Sequence, residues 1–355
     1  MVNIPEFSGT FSFQNYNQVL ERINKFNNVE NFGKDQSGQY DMKLIKLGNV
    51  NKPPILFISS LHPTEFQTTM YGLSFFESLR DNTYPDTELR NELLNDFLLL
   101  YIPIANPYGY NQLDDIYEPN YNARYNVNYV ELNNDFYKFS QAESVNIKNV
   151  IDRYKPFSIT DMHAFQPNYA SAYGRNLIIA TGKQNNKQHA IRDEIVSSIE
   201  SYSGFEVTKW VNVLSETSGL LRAYGSRSKN PYTVETLSYI TEIVKPQRVN
   251  GTIVRKLTNN QIYKFGMGYM HLLSKTSIDY FKEIENVNYR EDGGESIIGD
   301  ELIYEINTPY KDVYFTRDNQ GIVTEILEDF KDGRKIKNVL LRENGVVKHI
   351  DRIRV

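Results

Sequence analysis

The stretch from Pro54 to Glu65 constrains the fold of this chain more than any other. Its apolar run Ile55–Ile58 is typical of a strand that is covered on both faces, as in a parallel sheet. Pro63 ends the strand because proline cannot donate a ladder hydrogen bond. Beyond Glu65, apolar residues recur at spacings of three and four, which predicts a helix to about residue 80. His62 and Glu65 are therefore expected at the carboxyl end of a strand, where open α/β sheets bind ligands.

Strands alternate with helices along most of the chain. Two further apolar strands are predicted at residues 96–104 and 156–163, each followed by turns and helical segments. This alternation predicts a three-layer α/β/α fold with a mostly parallel mixed sheet. From about Thr276 the strands become short and polar, with turn signals such as Asp332-Gly333 and Asn344-Gly345. We therefore predict an α/β/α domain at residues 1–276 and a small C-terminal all-β module at residues 277–355.

Composition excludes several classes of partner and site. A net charge of −5 over 355 residues argues against a nucleic-acid partner held by phosphate contacts. The chain has no cysteine, so any metal must use His, Asp or Glu ligands. Neither a signal peptide nor an apolar stretch of membrane-spanning length is visible. The sequence therefore predicts a protein without a membrane partner, located in the cytoplasm or in a phage particle or similar assembly.

One set of side chains fits a catalytic metal site. His62 and Glu65 need a third ligand, and His163 ends a predicted strand on the same face as Asp161. Two histidines and one carboxylate with an open fourth position form a catalytic zinc site. Zinc in such a site lowers the pKa of its bound water to about 7. We therefore predict that His62, Glu65 and His163 bind Zn²⁺.

A hydrolytic zinc site also needs a general base and a cation for the developing oxyanion. Glu235 is the predicted base, because a charged side chain is unexpected in the apolar segment Tyr232–Glu235, which we predict to be a strand. Arg124, in the polar loop that precedes Asn133, is the predicted oxyanion contact.

Five motifs follow one another in the order seen in zinc carboxypeptidases of the carboxypeptidase A type, and the chain resembles that family over about residues 10–275. These motifs are His62-Pro63-Thr64-Glu65, Asn106-Pro107-Tyr108-Gly109, Arg124-Tyr125-Asn126 with Val130-Glu131-Leu132-Asn133-Asn134-Asp135-Phe136, Asp161-Met162-His163 and Thr233-Val234-Glu235. The resemblance implies zinc on His62, Glu65 and His163, an oxyanion contact from Arg124, and Glu235 as general base.

The chain departs from the family at the residues that grip the substrate carboxylate. The family has an Asn-Arg pair there, whereas this chain has Asn133-Asn134, and an amide does not replace the bidentate charge of a guanidinium. Arg222 or Arg227 could supply the missing cation. The segment from Thr217 to Arg222 also resembles murein-peptide amidases and desuccinylase-like relatives more than digestive enzymes.

The sequence leaves three functions open. The first is a zinc metallopeptidase that hydrolyses an amide of a peptide or amino-acid conjugate. The second is a related amidase or deacylase that acts on a cell-wall peptide or another unusual amide, which the loss of the clamp arginine favours. The third is a non-catalytic structural or binding protein of a larger assembly, such as a phage tail. In each case the C-terminal β module is a candidate for attachment to another protein.

Overall fold

The structure is a computed structural model that describes residues 1–117, 121–167, 175–182, 186–210, 214–289, 303–307, 311–317, 323–330, 335–343 and 346–354. The chain forms two compact units, Met1–Asp279 and Tyr280–Val355. The boundary predicted from the sequence lies between residues 276 and 277, and the assignment of separate roles to the two parts stays a prediction.

A mixed eight-stranded sheet forms the centre of the first unit. Its strands are β1 (Val29–Lys34), β2 (Asp41–Gly48), β3 (Pro54–Ile58), β4 (Leu98–Ile102), β5 (Ser158–Phe165), β6 (Leu177–Thr181), β7 (Val207–Trp210) and β8 (Leu237–Val244). They lie in the order β1-β2-β4-β3-β5-β8-β6-β7. The four central strands, β4, β3, β5 and β8, are parallel to one another. This arrangement confirms the mostly parallel mixed sheet that the sequence predicts.

Helices cover both faces of this sheet. They are α1 (Tyr16–Ile23), α2 (Gln67–Arg80), α3 (Thr87–Asp96), α4 (Pro107–Asn111), α5 (Ala142–Tyr154), α6 (Asn186–Ser203), α7 (Leu221–Arg227) and α8 (Asn259–Tyr289). Helices α2 and α8 pack on the face to which Phe57 points, and α5 and α7 pack on the opposite face. The first unit is therefore the α/β/α sandwich expected from the alternation of strands and helices.

The buried strand β3 shows why the sheet needs a helix layer on each side. All five of its residues are buried, as the uninterrupted apolar run predicts. On one face, the ring of Phe57 lies 6.2 Å from the rings of both Phe75 and Phe76 of α2. On the other face, Leu56 and Ile58 belong to the apolar cluster that includes three buried side chains of α5, namely Ile147, Val150 and Ile151. Each such buried side chain contributes roughly 1.5–3 kcal/mol of transfer free energy.

Strand register brings the chemically active residues to one edge of the sheet. Ile58 of β3 pairs with Asp161 of β5, and His163 of β5 pairs with Glu242 of β8. Because these strands are parallel, their carboxyl ends lie at the same edge. The turn that follows β3 is therefore next to the last residues of β5 and β8.

Smaller elements complete the description. A hairpin is formed by β9 (Gln247–Val249) and β10 (Thr252–Val254). The second unit is an antiparallel sheet whose strands pair in chain order: β11 (Ile303–Asn307), β12 (Lys311–Arg317), β13 (Val323–Phe330), β14 (Lys335–Glu343) and β15 (Val346–Arg354). The turn signals Asp332-Gly333 and Asn344-Gly345 lie outside the described residues. Among the residues that are described, no helix combines the length and the apolar character needed to cross a membrane.

A buried histidine ties the start of the chain to α8. His271 is 1 % exposed, its Nδ1 lies 2.7 Å from the hydroxyl oxygen of Tyr84, and its Nε2 lies 3.0 Å from the carbonyl oxygen of Asn3. A neutral imidazole satisfies both contacts: Nε2–H donates to the carbonyl, and Nδ1 accepts from the hydroxyl. Burial lowers the pKa of His271.

This lowered pKa predicts a loss of stability in acid. As the pH falls below about 6.5, the unfolded chain binds a proton at this histidine before the folded chain does, so the free energy of unfolding decreases until the lower folded pKa is reached. The decrease is at most about 1.4 kcal/mol per pH unit. We expect a shallower decrease for His271→Gln in urea unfolding between pH 7.5 and 5. An identical pH dependence in the variant and the wild type would contradict this account.

Candidate metal centre

The turn after β3 projects two candidate ligands from the sheet. Ser60 adopts a positive φ of 49°, in the left-handed region that residues other than glycine rarely occupy. Hydrogen bonds hold it there: its hydroxyl lies 2.7 Å from that of Thr69, and its carbonyl accepts from the backbone N–H of Asn106 at 3.1 Å. The chain bends sharply at Ser60. His62 follows this bend and is the N-cap residue of a 3₁₀ turn, Pro63–Glu65.

The Asn106-Pro107-Tyr108-Gly109 motif has a structural role next to this bend. Asn106 caps α4 by accepting a hydrogen bond from the N–H of Gly109 at 3.0 Å. A side chain at Gly109 would come within 2.7 Å of the Ala123 carbonyl oxygen and 2.8 Å of that of Tyr125. Glycine is therefore required here, because the loop that carries Arg124 passes directly over it.

The three predicted ligands meet in the interior of the protein. His62, Glu65 and His163 are each at most 4 % exposed. The Nδ1 atom of His62 lies 3.0 Å from Glu65 Oε1, and the Nδ1 atom of His163 lies 2.9 Å from Glu65 Oε2. The two Nδ1 atoms are 3.1 Å apart. These are the three side chains that the sequence predicts as metal ligands, and their donor atoms converge on one point.

This spacing fits a zinc ion. Zinc ligands bind at about 2.0–2.1 Å, so two donor atoms at a tetrahedral angle are about 3.3 Å apart. The observed separations of 2.9–3.1 Å are close to that value. Two imidazole nitrogens and a carboxylate are also the donor set of catalytic zinc sites. The backbone N–H of Ala164 donates to Glu65 Oε2 at 2.9 Å and fixes the orientation of that carboxylate.

Further carboxylates contact the far side of both imidazole rings. Glu131 Oε1 lies 2.8 Å from His62 Nε2, and Asp161 Oδ1 lies 2.8 Å from His163 Nε2. A carboxylate behind a ligating histidine fixes its tautomer and leaves the other nitrogen free for the metal. The hydrogen bond with Glu131 therefore leaves Nδ1 of His62 available for coordination, and Nδ1 of His163 faces the Glu65 carboxylate at 2.9 Å. Glu131 lies in a loop without a periodic pattern, so the sequence alone does not mark it as the partner of His62.

Electrostatics at the centre follow from these contacts. Burial raises the pKa of Glu65, but the charges and hydrogen bonds of His62 and His163 outweigh it and keep the pKa well below the usual range. Burial likewise lowers the pKa of His163, but Asp161 and Glu65 raise it well above its usual value. The hydrogen bond from His62 lowers the pKa of Glu131 to about 2. The centre thus favours charged carboxylates and a protonated His163, and a metal ion that binds there would take the place of the imidazole proton.

Two cations lie beside the centre. Arg124 places one guanidinium nitrogen 3.3 Å from Glu65 Oε1 and another 3.3 Å from Glu131 Oε1, so the structure brings this predicted residue to the site. Lys245, directly after β8, is 6 % exposed, and its ammonium group donates to the carbonyl of Thr64, between the two ligands of the turn. Burial lowers the pKa of Lys245 to about 8. Lys245 was not identified from the sequence.

The structure does not bring Glu235 to this centre. The segment predicted to be a strand is instead a turn, in which the side chain of Asn230 accepts hydrogen bonds from the N–H groups of Tyr232 and Thr233. Strand β8 begins only at Leu237, so Glu235 lies at the amino end of the parallel strands. The five residue steps from Leu237 to Glu242, the position beside His163, span about 16 Å of strand. The geometry therefore contradicts the choice of Glu235 as general base.

Glu242 occupies the place that a general base would need. It is the register partner of His163 and is half-buried in β8, whereas the other described neighbours in that strand are buried. Burial, with the charges of Glu65 and Asp161, raises its pKa to about 7, although His163 and Arg222 act in the opposite direction. The signal in the sequence was a single acidic residue within the apolar segment from Leu237 to Val244.

The predicted substrate-binding residues are separated by the fold. Asn133 is buried, and its side-chain oxygen accepts from the N–H of Leu221 at 3.1 Å. Asn134 is exposed and donates to Glu131 Oε2 at 3.2 Å. Arg222, in α7, is buried within the electrostatic reach of Asp161 and Glu242. Arg227 lies at the exposed end of α7 and donates to the carbonyl of Ser218. A role in substrate binding stays a prediction for Asn133, Asn134 and Arg222.

An α/β/α sheet with two histidines and a glutamate at its carboxyl edge defines a metal-dependent hydrolase of the carboxypeptidase type. The sequence profile described as zinc carboxypeptidase matches residues 15–292, and the chain belongs to that family. Its members are zinc-dependent metallopeptidases, so the chain is a zinc metallocarboxypeptidase-like hydrolase, as the sequence resemblance implies.

Solved structures of metallo-carboxypeptidases share the fold at low sequence identity. A Pseudomonas aeruginosa enzyme in complex with (2-guanidinoethylmercapto)succinic acid aligns at 15 % identity and a TM-score of 0.57, over 77 % of this chain and 70 % of the other. A Burkholderia cenocepacia enzyme aligns at 16 % identity and 0.55, over 74 % and 68 %. Carboxypeptidase A from Helicoverpa armigera aligns at 17 % and 0.51, over 78 % and 72 %. No curated protein sequence matches this chain.

The contact between Glu131 and His62 predicts an effect on metal affinity. Glu131→Gln removes the charge behind the imidazole, so we expect zinc to bind about 10- to 100-fold more weakly, as measured by competition with a chelator. Asn134→Ala is the matched control, because its exposed amide contacts only the outer oxygen of the same carboxylate. Equal zinc affinity of Glu131→Gln and the wild type would show that this carboxylate does not support the metal ligand.

Proposed function

We propose that the protein hydrolyses an amide bond of a peptide or amino-acid conjugate at a zinc ion bound by His62, Glu65 and His163. The observation that carries this proposal is the convergence of both Nδ1 atoms on the Glu65 carboxylate, with Glu242 on the neighbouring strand. When bound there, zinc would activate a water molecule and polarise the amide carbonyl. The side chains around it would hold the substrate and move the protons.

Glu242 is the proposed general base. It adjoins His163 across β5 and β8, it is partly accessible, and its pKa of about 7 suits a group that takes up and releases a proton near neutral pH. In this role the Glu242 carboxylate accepts a proton from the attacking water and then gives that proton to the departing amine.

Arg124 is the proposed oxyanion contact. Its guanidinium is half-buried, and burial lowers its pKa less than Glu65 and Glu131 raise it, so the side chain stays charged. A fixed cation that faces the carbonyl oxygen stabilises the negative charge that develops during attack, an effect of roughly 10²–10³-fold in rate for a single donor. The loop that carries it is anchored by Asn126, which is 1 % exposed and donates to both Gln141 and Glu143.

A second candidate function is supported by Asn134. Its amide is engaged with Glu131, and its position holds no cation that could pair with the terminal carboxylate of a peptide. An amidase or deacylase that acts on a cell-wall peptide or another amide without such a carboxylate would not need one. Hydrolysis of substrates with blocked carboxyl termini at the same rate as free ones would favour this candidate.

Substitutions at two glutamates test whether the general base is Glu242, as proposed here, or Glu235, as predicted from the sequence. We expect Glu242→Gln to lower kcat by about 10²–10⁴-fold while zinc content is unchanged, because proton transfer is lost but all three ligands remain. Glu235→Gln is the matched control and should keep wild-type kcat, because this residue lies in the turn before the amino end of β8, whereas Glu242 lies near its carboxyl end. Both variants are measured as zinc-loaded protein against a panel of N-acylated dipeptides.

The reverse result would contradict the assignment. If Glu235→Gln lost activity and Glu242→Gln kept it, the base would not be the strand partner of His163. If wild-type protein with one zinc per chain hydrolysed no amide in the panel, with free or blocked termini, the hydrolase proposal would fail.

A further inference from the structure

Lys245 is a buried lysine that forms no ion pair within the part of the chain that the structure describes. The residue is 6 % exposed, and its ammonium group donates to the carbonyl of Thr64. Removal of an ammonium group from water is costly, and a carbonyl neutralises none of its charge. A neutral donor or an apolar side chain would avoid this cost. The presence of a lysine here therefore requires an explanation.

The acceptor of this hydrogen bond lies inside the ligand turn. Thr64 directly precedes the ligand Glu65, and it is 7 % exposed. Among the described residues, no backbone N–H group donates to its carbonyl. Buried carbonyl groups almost always have a donor, and here the ammonium group of Lys245 supplies it. The backbone of the ligand turn is thus held by a side chain that is distant in the sequence.

The backbone of Lys245 contacts the strand that carries the third ligand. Its N–H group donates to the carbonyl of Phe165 at 2.9 Å, and Phe165 follows His163 by two residues on β5. Lys245 therefore bonds to both ligand-bearing segments, to β5 through its backbone and to the turn between His62 and Glu65 through its side chain. This link supplements the β3–β5 ladder in fixing the distance between the two segments.

The charge of Lys245 also acts on the carboxylate in the turn. Burial lowers the pKa of Lys245, the carboxylate of Glu65 raises it, and the guanidinium of Arg124 lowers it further. The ammonium group is therefore within electrostatic reach of Glu65. A cation in this place favours the ionised form of the Glu65 carboxylate, which is the form that binds a metal ion.

We propose that Lys245 is a positioning residue that joins the ligand turn to the strand of His163 and so preforms the zinc site. This inference rests on the zinc site of the proposed function, and it concerns a residue that does not touch the metal. Loss of a group that orients metal ligands typically weakens metal binding by about 10- to 100-fold. A preformed site binds more tightly because less freedom is lost when the ligands close on the ion.

Side chains of matched length test the role of the ammonium group. Lys245→Met removes the charge and the donor but keeps an unbranched side chain. The chain has no cysteine, so the thiolate of Lys245→Cys is the only one available for alkylation in urea before refolding. Displacement of bromide from bromoethylamine restores an ammonium group at the reach of lysine, whereas displacement of iodide from 1-iodopropane gives an apolar chain of equal length. Lys46→Met is the matched control, because this half-buried lysine of β2 pairs with Glu30 at 3.2 Å.

The expected result is a loss of zinc affinity that depends on the ammonium group. For Lys245→Met and the propylated protein we expect zinc to bind at least about 10-fold more weakly in competition with a chelator. The visible absorption spectrum of the cobalt-substituted proteins should differ from that of wild type. In the zinc-free proteins, backbone amides of residues 61–66 should exchange hydrogen faster. The aminoethylated protein and Lys46→Met should match wild type that has passed through the same urea cycle.

Two results would overturn the inference. One is wild-type zinc affinity, cobalt spectrum and hydrogen exchange in both Lys245→Met and the propylated protein. The other is a loss that aminoethylation does not reverse, which would assign the effect to packing. If Lys245→Met is poorly folded, the aminoethylated and propylated forms of Lys245→Cys still make the comparison. Failure of wild type to bind zinc would instead reject the proposed function, and hydrogen exchange of the zinc-free proteins would still test the contact with Thr64.

Discussion

The carboxylate of Glu65 lies between the Nδ1 atoms of two buried histidines, and the arrangement of the site depends on this contact. A charged group that is almost fully excluded from water requires opposite charges or hydrogen-bond donors around it. His62 and His163 supply them only because β3 and β5 are adjacent and parallel, with Ile58 opposite Asp161. A shift of one residue in that register would turn His163 to the other face of the sheet. The order of strands in the sheet is thus also the basis of the metal centre.

Successive layers of contacts then orient the ligands. Glu131 and Asp161 lie behind the two imidazole rings, and the ammonium of Lys245 holds the backbone of the ligand turn at Thr64. The loop that carries Arg124 can approach only because Gly109 has no side chain. Each of these contacts joins segments that are distant in sequence. This explains why the site is buried although its members come from a turn, a loop and two strands.

Much of this could be predicted from the sequence, and the part that could not depends on one misread turn and on contacts between distant segments. The apolar run before His62 and the Asp161-Met162-His163 triplet have the periodicity of buried strands, so the ligands and the sheet edge were accessible to pattern analysis. The prediction of Glu235 as general base was wrong because the short apolar segment before it has the composition of a strand. In the structure, hydrogen bonds to the side chain of Asn230 fold this segment into a turn. Glu242, Glu131 and Lys245 are defined by strand register and long-range contacts, which one sequence does not contain.

The most direct test of the central claim is the coordination of zinc in the purified protein. Elemental analysis and zinc X-ray absorption spectroscopy, applied to wild type and to His163→Ala, would measure the stoichiometry and the donor atoms together. The account predicts about one zinc per chain, bound by two imidazole nitrogens and carboxylate or water oxygens at about 2.0–2.2 Å, with one imidazole and most of the zinc lost in the variant. A wild-type protein that binds no zinc after reconstitution, or zinc bound equally well without His163, would contradict it.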